Sequence, residues 1–295
     1  MVEQLVRPAR TPTAHRRAQA RARRSRQGSH AFAHVVLGVG AFVMAFPFLW
    51  QIVMSLSSNA EVQSVTPTFW PEHLQWGNYA AVFDRLPFLE QFRTSVVITL
   101  VRVSAQILFC TLAGYAFARM RFRGRNVLLA AVLSILMVPS QVYLLSQYQI
   151  VADLGLLDSL GGLVLPGLFS AFGTFLVRTA FLGMPDELEE AARLDGANPF
   201  QVFWRVMLPL ARPTISVLAI TSTLWSWNEL LWPLVVSTYS ERMPLSAGLA
   251  TLISDRTTDY PVVMAASLLA MAPVLVVFVV LQRRVIDGLA SSGLK

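Results

Sequence analysis

Three observations predict an all-α, polytopic membrane protein with six transmembrane helices. Of the 295 residues, 55% are apolar and only 14% are Asp, Glu, Lys or Arg, against roughly 25% charge in a typical soluble domain. Six apolar windows are each long enough to cross about 30 Å of hydrocarbon. The basic residues between those windows are distributed very unevenly from one side to the other. Lipid offers backbone groups no partner, so spans this apolar are helices. The single cysteine, Cys110, excludes a disulfide framework, and the apolar content excludes intrinsic disorder of the chain as a whole.

The chain opens on a basic arm, residues 1–30, in which eight arginines stand against Glu3 alone. The remainder balances at 16 basic and 16 acidic groups, so the net charge of +7 belongs to the arm. Clustered arginine is also the footprint of nucleic-acid binding. Placed just before an apolar span it marks the cytoplasmic side instead, and no nucleic-acid partner is expected. The arm is expected to be disordered, with a weak helix on anionic lipid as the functional alternative. A cleaved signal peptide is not expected, because the apolar stretch after the arm is longer than the 7–15 residues of a signal core.

The spans are expected at 31–55, 94–118, 127–147, 162–183, 213–236 and 262–282. The third is interrupted by Pro139, Ser140 and Gln141, and the fourth carries Pro166 and Arg178. With the N-terminus inside, the inner pieces hold 18 Arg and Lys and the outer pieces hold 4. That bias places both termini in the cytoplasm of a multi-pass protein. The outer loop 56–93 has Trp70 and Trp76 among prolines, residues that suit interfacial anchoring or contact with an external partner.

The segment 184–212 is too polar to cross lipid yet is strongly patterned. Pro185 suits a first helical position, Asp186 and Glu187 place acid where the helix dipole favours it, and Arg193 falls in the last turn. Gly196 suits the left-handed residue after a helix. Asn198 and Pro199 read as the cap and first residue of a second helix, which carries Phe200, Val202, Phe203, Val206 and Met207 and meets Pro209 near its end. Two short helices hinged at a glycine follow. An amphipathic connector lying on the membrane and a protein-docking element both fit this pattern.

Glu190-Ala191-Ala192-Arg193-Leu194-Asp195-Gly196-Ala197, followed by Phe203, Val206 and Leu208-Pro209, resembles the EAA loop of bacterial ABC importer permeases. Tyr115-Ala116-Phe117-Ala118-Arg119, Leu154-Gly155-Leu156-Leu157-Asp158 and Trp227-Asn228-Glu229 are similar to segments of the carbohydrate-uptake, MalG-like subfamily. The resemblance covers the chain from about residue 30 onward. It implies the type I ABC importer (MetI-like) permease fold in a bacterial plasma membrane. Implied partners are a second homologous permease, two ATP-binding cassette ATPase subunits and an extracytoplasmic solute-binding protein, besides membrane lipid. It also implies a sugar as solute, with glycerol-3-phosphate or another non-sugar solute as the alternative. Glu190, Ala191, Ala192, Asp195, Gly196, Ala197, Phe203, Leu208 and Pro209 are implied to couple the chain to an ATPase subunit. No cofactor is expected in this chain, ATP and Mg being bound by the ATPases, and no enzymatic activity.

The residue pattern agrees with that expectation. There is no G-x-x-x-x-G-K-[ST] to cradle phosphates, and the four histidines have no metal-ligand spacing. Ionisable groups inside spans are functional candidates by default, which singles out Arg102 and Glu229, with Asn228 beside the latter. They are expected to line the translocation path or to mediate contact between permeases. Glu229 among Trp225, Trp227 and Trp232 suits sugar hydroxyls, and it equally suits a pair with Arg102. Ser222, Ser226, Thr221 and Thr223 make the fifth span polar along one side, as either pore lining or interhelical glue. Gln141, Tyr143, Gln147, Tyr148 and Gln149, where the third span exits, are candidates for meeting solute or the binding protein. An ion-coupled secondary transporter is a rival disfavoured by the absence of duplicated halves, and a membrane enzyme is disfavoured because no catalytic constellation converges.

Overall fold

The computed structural model describes the backbone of residues 12–66, 69–253 and 258–292, and the side chains of 33–66, 69–253, 258–276 and 279. Among the described residues the secondary structure is helical throughout, with no strand.

Helix α1 spans Pro12–Ser55 and belongs, up to Val53, to a unit of its own. Its apolar part is Ala33–Ser55, and Phe42, Phe46 and Trp50 lie one turn apart along it with ring centroids 6.3 Å from one to the next. The basic arm is helical from Pro12 on, where the sequence suggests disorder. Ala, Arg and Gln dominate it, and all three are good helix formers. Residues 1–11 lie outside the described residues.

From Met54 the chain forms a second unit. It begins with α2 (Asn59–Val62) and α3 (Gly77–Arg85). Ser58 and Glu61 form a reciprocal capping box, and the Glu61 carboxylate also accepts from the Glu72 amide. These backbone donors hold its pKa below the ordinary carboxylate range. Helix α4 (Phe88–Arg119) is the second crossing and the long central element.

The next two crossings are bent pairs. Helix α5 (Arg125–Ser134) runs through a 3-10 turn, Ile135–Met137. It then breaks before α6 (Ser140–Asp153), with a bend of 106° between the two parts. The predicted span 127–147 is thus not one straight crossing. Pro139 has no N–H to donate and disfavours helical geometry at the residue before it, and Val138 is extended at φ −99°, ψ 119°. Helix α7 (Leu160–Val164), with a 3-10 turn at Leu165–Gly167, precedes α8 (Ala171–Leu182) at a bend of 41°. Ser170 restarts the helix by accepting from the Gly173 amide at 3.0 Å.

Helices α9 (Glu187–Leu194) and α10 (Pro199–Gln201) make the predicted loop. A π-helical segment, Val202–Met207, leads into α11 (Leu208–Leu210). Helix α12 (Arg212–Asn228) leaves at 72° to Pro199–Leu210. After the break at Glu229 and Leu230 come α13 (Leu231–Val236), α14 (Leu245–Thr251) and α15 (Tyr260–Ser292). An apolar stretch of α15, Tyr260–Val276, provides the sixth crossing.

Helices α4, α8 and α12 pack against one another. Gly114 on α4 permits a close backbone approach to α8, since a Cβ there would sit 2.9 Å from the Arg178 amide nitrogen. Arg178 also ties α8 to α4. Its Nε donates to the Phe117 carbonyl at 3.3 Å.

Candidate functional site: the loop at 184–212 and the buried ion pair

The loop is built as its sequence predicts, on a glycine hinge. Gly196 has φ +85°, a conformation that costs an L-residue about 1–2 kcal/mol. Asn198 caps the second helix by accepting from the Gln201 amide at 2.9 Å, and the Asn198 amide in turn donates to the Gln201 side-chain oxygen. Pro199 occupies the first helical turn.

The two loop helices present two faces. Inward, Val202, Phe203 and Met207 join a core with Tyr115, Val177, Phe181 and Leu218, against which Ala192, Ala197 and Leu208 pack. Tyr115, Phe181 and Phe203 form an aromatic cluster, with Tyr115 4.9 Å from Phe203 and 5.4 Å from Phe181 by ring centroids. Outward lie Glu190, Ala191, Asp195 and Gly196, with Leu194 88% exposed, Phe200 69% and Trp204 57%. Phe200 and Trp204 stack with their planes 10° apart.

The nine coupling candidates therefore divide. Glu190, Ala191, Asp195 and Gly196 are surface. Ala192, Ala197 and Leu208 are half-buried against the core, Pro209 is half-buried, and Phe203 is buried. Leu194, Phe200 and Trp204 complete the outward face; the helical period of the sequence carried that signal.

A second feature escaped the sequence reading. Arg119, the last residue of α4, sits where the loop begins, with its side chain 8% exposed. Its Nε and Nη2 donate to the Phe181 carbonyl at 3.0 and 2.6 Å. Nη2 also donates to the Met184 carbonyl, and Nη1 to the Asp186 carboxylate. The Glu189 carboxylate lies 3.5 Å from Nε and accepts from Arg193 at 3.0 Å. Glu189 is 6% exposed, so the acidic doublet splits: Glu189 faces in and Glu190 faces out.

Away from the loop, Arg102 of α4 and Glu229 at the end of α12 meet. Arg102 Nη1 donates to Glu229 at 2.7 Å and Nη2 to the Leu163 carbonyl. The Arg102 side chain is 5% exposed and that of Glu229 37%. Glu229 ends α12 in an extended conformation, and Ser246 Oγ donates to its carbonyl at 2.5 Å. Asn228 takes no part, since its amide donates to the Leu224 carbonyl on its own helix. Gln106, one turn along α4, donates to the Gly167 carbonyl and accepts from Ser222 at 2.6 Å. Ser222 is thus glue between helices. Thr221 and Thr223 bond carbonyls four residues back on α12.

Tyr143 and Gln147 join Arg102 and Glu229 around a cavity of ≈ 170 Å³, with Ser140 and Trp232. Gln141 and Gln149 are exposed elsewhere, and Tyr148 packs in an apolar cluster with Val151 and Trp232. The tryptophans near Glu229 are mostly structural. Trp232 donates to the Gly162 carbonyl and Trp227 to that of Ala270, whereas Trp225 is 60% exposed against Phe172.

At the same end of the bundle, away from the loop, the turn 154–158 fastens the third crossing to the exit of the fifth. Gly155 has φ +67° and Asp158 φ +55°, which Asp tolerates better than most residues. The Asp158 carboxylate accepts from the Thr238 and Tyr239 amides, and Arg242 donates to its carbonyl at 2.9 Å. The Thr238 amide holds the Asp158 pKa below its ordinary value.

Six crossings, bent as described and joined by a braced helix–glycine–helix loop, define a membrane transport subunit. The chain belongs to the family described as the binding-protein-dependent transport system inner membrane component, whose profile matches residues 107–290. It is an ABC importer permease, as the loop motif implies. It is 35% identical over 258 residues to the arabinooligosaccharides transport system permease protein AraQ of Halalkalibacterium halodurans, covering 86% of this chain and 92% of that one. It is 34% identical over 276 residues to the sn-glycerol-3-phosphate transport system permease protein UgpE of Pectobacterium atrosepticum, covering 91% and 98%. Among solved structures, a chain of a bacterial ABC transporter involved in the import of the acidic polysaccharide alginate matches with a TM-score of 0.76 and 27% identity, over 88% of this chain and 97% of that one.

Proposed function

We propose that the chain is the permease subunit of an ATP-driven sugar importer. In this reading it forms half of the translocation pore beside a second, homologous permease. It receives solute from an extracytoplasmic binding protein and docks one of two ATPase subunits through the loop at 184–212. ATP and Mg are held by those ATPases, and this chain carries no catalysis of its own. Both termini and the loop face the cytoplasm, on the 18 to 4 distribution of basic residues.

The observation that carries the reading is the loop's outward face. Leu194, Phe200 and Trp204 lie exposed beside Glu190 on a scaffold whose other face is locked into the bundle core. Exposed aromatic anchors on a rigid support are what a docking site requires. For the solute, the arabinooligosaccharide relative favours a sugar, and the glycerol-3-phosphate relative is the ground for the alternative. Pairing of Arg102 with Glu229 leaves no net positive charge on that ion pair for an anionic solute, which favours the neutral one.

Purification of the tagged chain from its native membrane in mild detergent, with mass spectrometry of what accompanies it, tests the assembly. A second permease, an ATPase and a binding protein are expected, and the binding protein then identifies the solute by ligand screening. A lone protein that transports in liposomes without ATP overturns the reading.

A further inference from the structure

The loop is joined to the bundle at two bends. At its far end Pro199–Leu210 meets α12 at 72°. At its near end four residues, Gly183-Met184-Pro185-Asp186, separate α8 from α9. Gly183 and Pro185 limit helical continuity there, so pushing on α9 could be absorbed by this joint without moving any crossing.

Arg119 bridges that joint. It donates to the Phe181 and Met184 carbonyls on the α8 side and to the Asp186 carboxylate on the α9 side, and its Nε lies 3.5 Å from the Glu189 carboxylate as an ion pair. It does so from the end of α4, which is packed on α8 through Gly114. Apolar contacts in the Tyr115, Phe181 and Phe203 cluster can slide, because burial has no direction. Charge-assisted hydrogen bonds from a planar guanidinium fix register as well as distance. Glu189 is buried between Arg119 and Arg193, so separating it from Arg119 strips a buried carboxylate of one of its two cationic partners, which resists opening.

We propose that Arg119, paired with Glu189, is the positioning residue that makes α9, α4 and α8 one lever, and so sets how much solute crosses per ATP hydrolysed. The proposal rests on the reading that the loop docks an ATPase. The brace transmits what the outward face receives: Glu190 meets the partner, and its neighbour Glu189 hands the displacement to Arg119.

The test uses the full complex in liposomes with its binding protein and solute. Complex stoichiometry, ATP hydrolysis and uptake are measured for wild type, Arg119→Met, Glu189→Gln, and the double variant. Both single variants are expected to assemble and to hydrolyse ATP within about twofold of wild type. Uptake per ATP falls at least about fivefold, the lower range of site-to-site coupling. The double variant is expected to be no worse than Arg119→Met, because the two residues act as one unit. Glu189→Gln keeps shape and volume, so it carries the test if Arg119→Met does not fold. Unchanged uptake per ATP in an assembled Glu189→Gln complex overturns the proposal, as does strictly additive loss in the double variant. Failure of the wild-type chain to hold an ATPase subunit overturns the docking reading instead, which separates the two.

Discussion

At the scale of single residues, Gly196 acts through its backbone alone. No atom lies within 4 Å of a Cβ placed there, but its φ is +85°. A residue that tolerates the left-handed region should therefore be accepted where others are not. Gly196→Asn is expected to retain most uptake. Gly196→Val carries about 1–2 kcal/mol of strain and Gly196→Glu adds a bulky charge to the outward face, so both are expected to lower ATPase association on co-purification. Equal behaviour of Asn and Val would remove the backbone argument.

The Arg102–Glu229 pair makes a complementary prediction about charge. Removing one partner of a buried pair costs about 3–5 kcal/mol when both are fully buried, whereas removing both can be near neutral. Because the Glu229 side chain is 37% exposed, about 1–3 kcal/mol is expected for Glu229→Gln or Arg102→Met alone. Thermal denaturation in detergent should show each single variant less stable than Arg102→Met/Glu229→Gln. A double variant worse than both singles would point to a role for each charge apart from the pair. An altered ranking of transported solutes at intact rate would place Glu229 in the solute path.

At the scale of elements, the breaks in the crossings carry as much information as the helices. Pro139 was legible as an interruption, but the 106° bend was not, because a proline removes a hydrogen bond without dictating where the next helix goes. The same holds for the turn 154–158, a segment legible only by its resemblance to the family and not by its distant partners in 237–242. Here Asp158 supplies a pH dependence. Its folded pKa lies below the ordinary 3.8, chiefly because the Thr238 amide bonds the ionised form. A depressed carboxylate contributes stability that is present above the unfolded pKa and lost as pH falls through the folded one. Amide exchange of residues 237–242, corrected for intrinsic rate, is expected to stay protected from pH 7 down to about the unfolded carboxylate pKa and to lose protection below it. Asp158→Ala should abolish the protection at neutral pH. A wild-type loss of protection between pH 7 and 5 would contradict the assignment.

At the scale of the whole molecule, the proposed sidedness rests on charge and can be read chemically. Cys110 is buried and is replaced by Ala in the background. A cysteine at Trp70, 70% exposed, is expected to react with an impermeant maleimide on intact cells. One at Leu194, 88% exposed, should react only after the membrane is opened. The reverse pattern would invert the topology and separate the loop from any cytoplasmic ATPase.

The amino-acid sequence by itself determined the class, the apolar windows, the charge asymmetry and the loop with its glycine hinge. Each of these is a local property: hydropathy over about 20 residues, a count of Arg and Lys, or a cap and a left-handed residue a few positions apart. The tertiary structure alone decided which partners close across distance. Arg119 was legible only as one of four basic residues after the second crossing, yet it braces a joint 62 to 70 residues away. Glu189 and Glu190 are the same residue type side by side, and only packing turned one inward. Of the residues that make the fifth span polar, Ser222 became glue because Gln106 stands opposite. Hydropathy is written along the chain because solvent and lipid act on each segment separately, whereas ion pairs and hydrogen bonds between helices exist only once the bundle has set their distance.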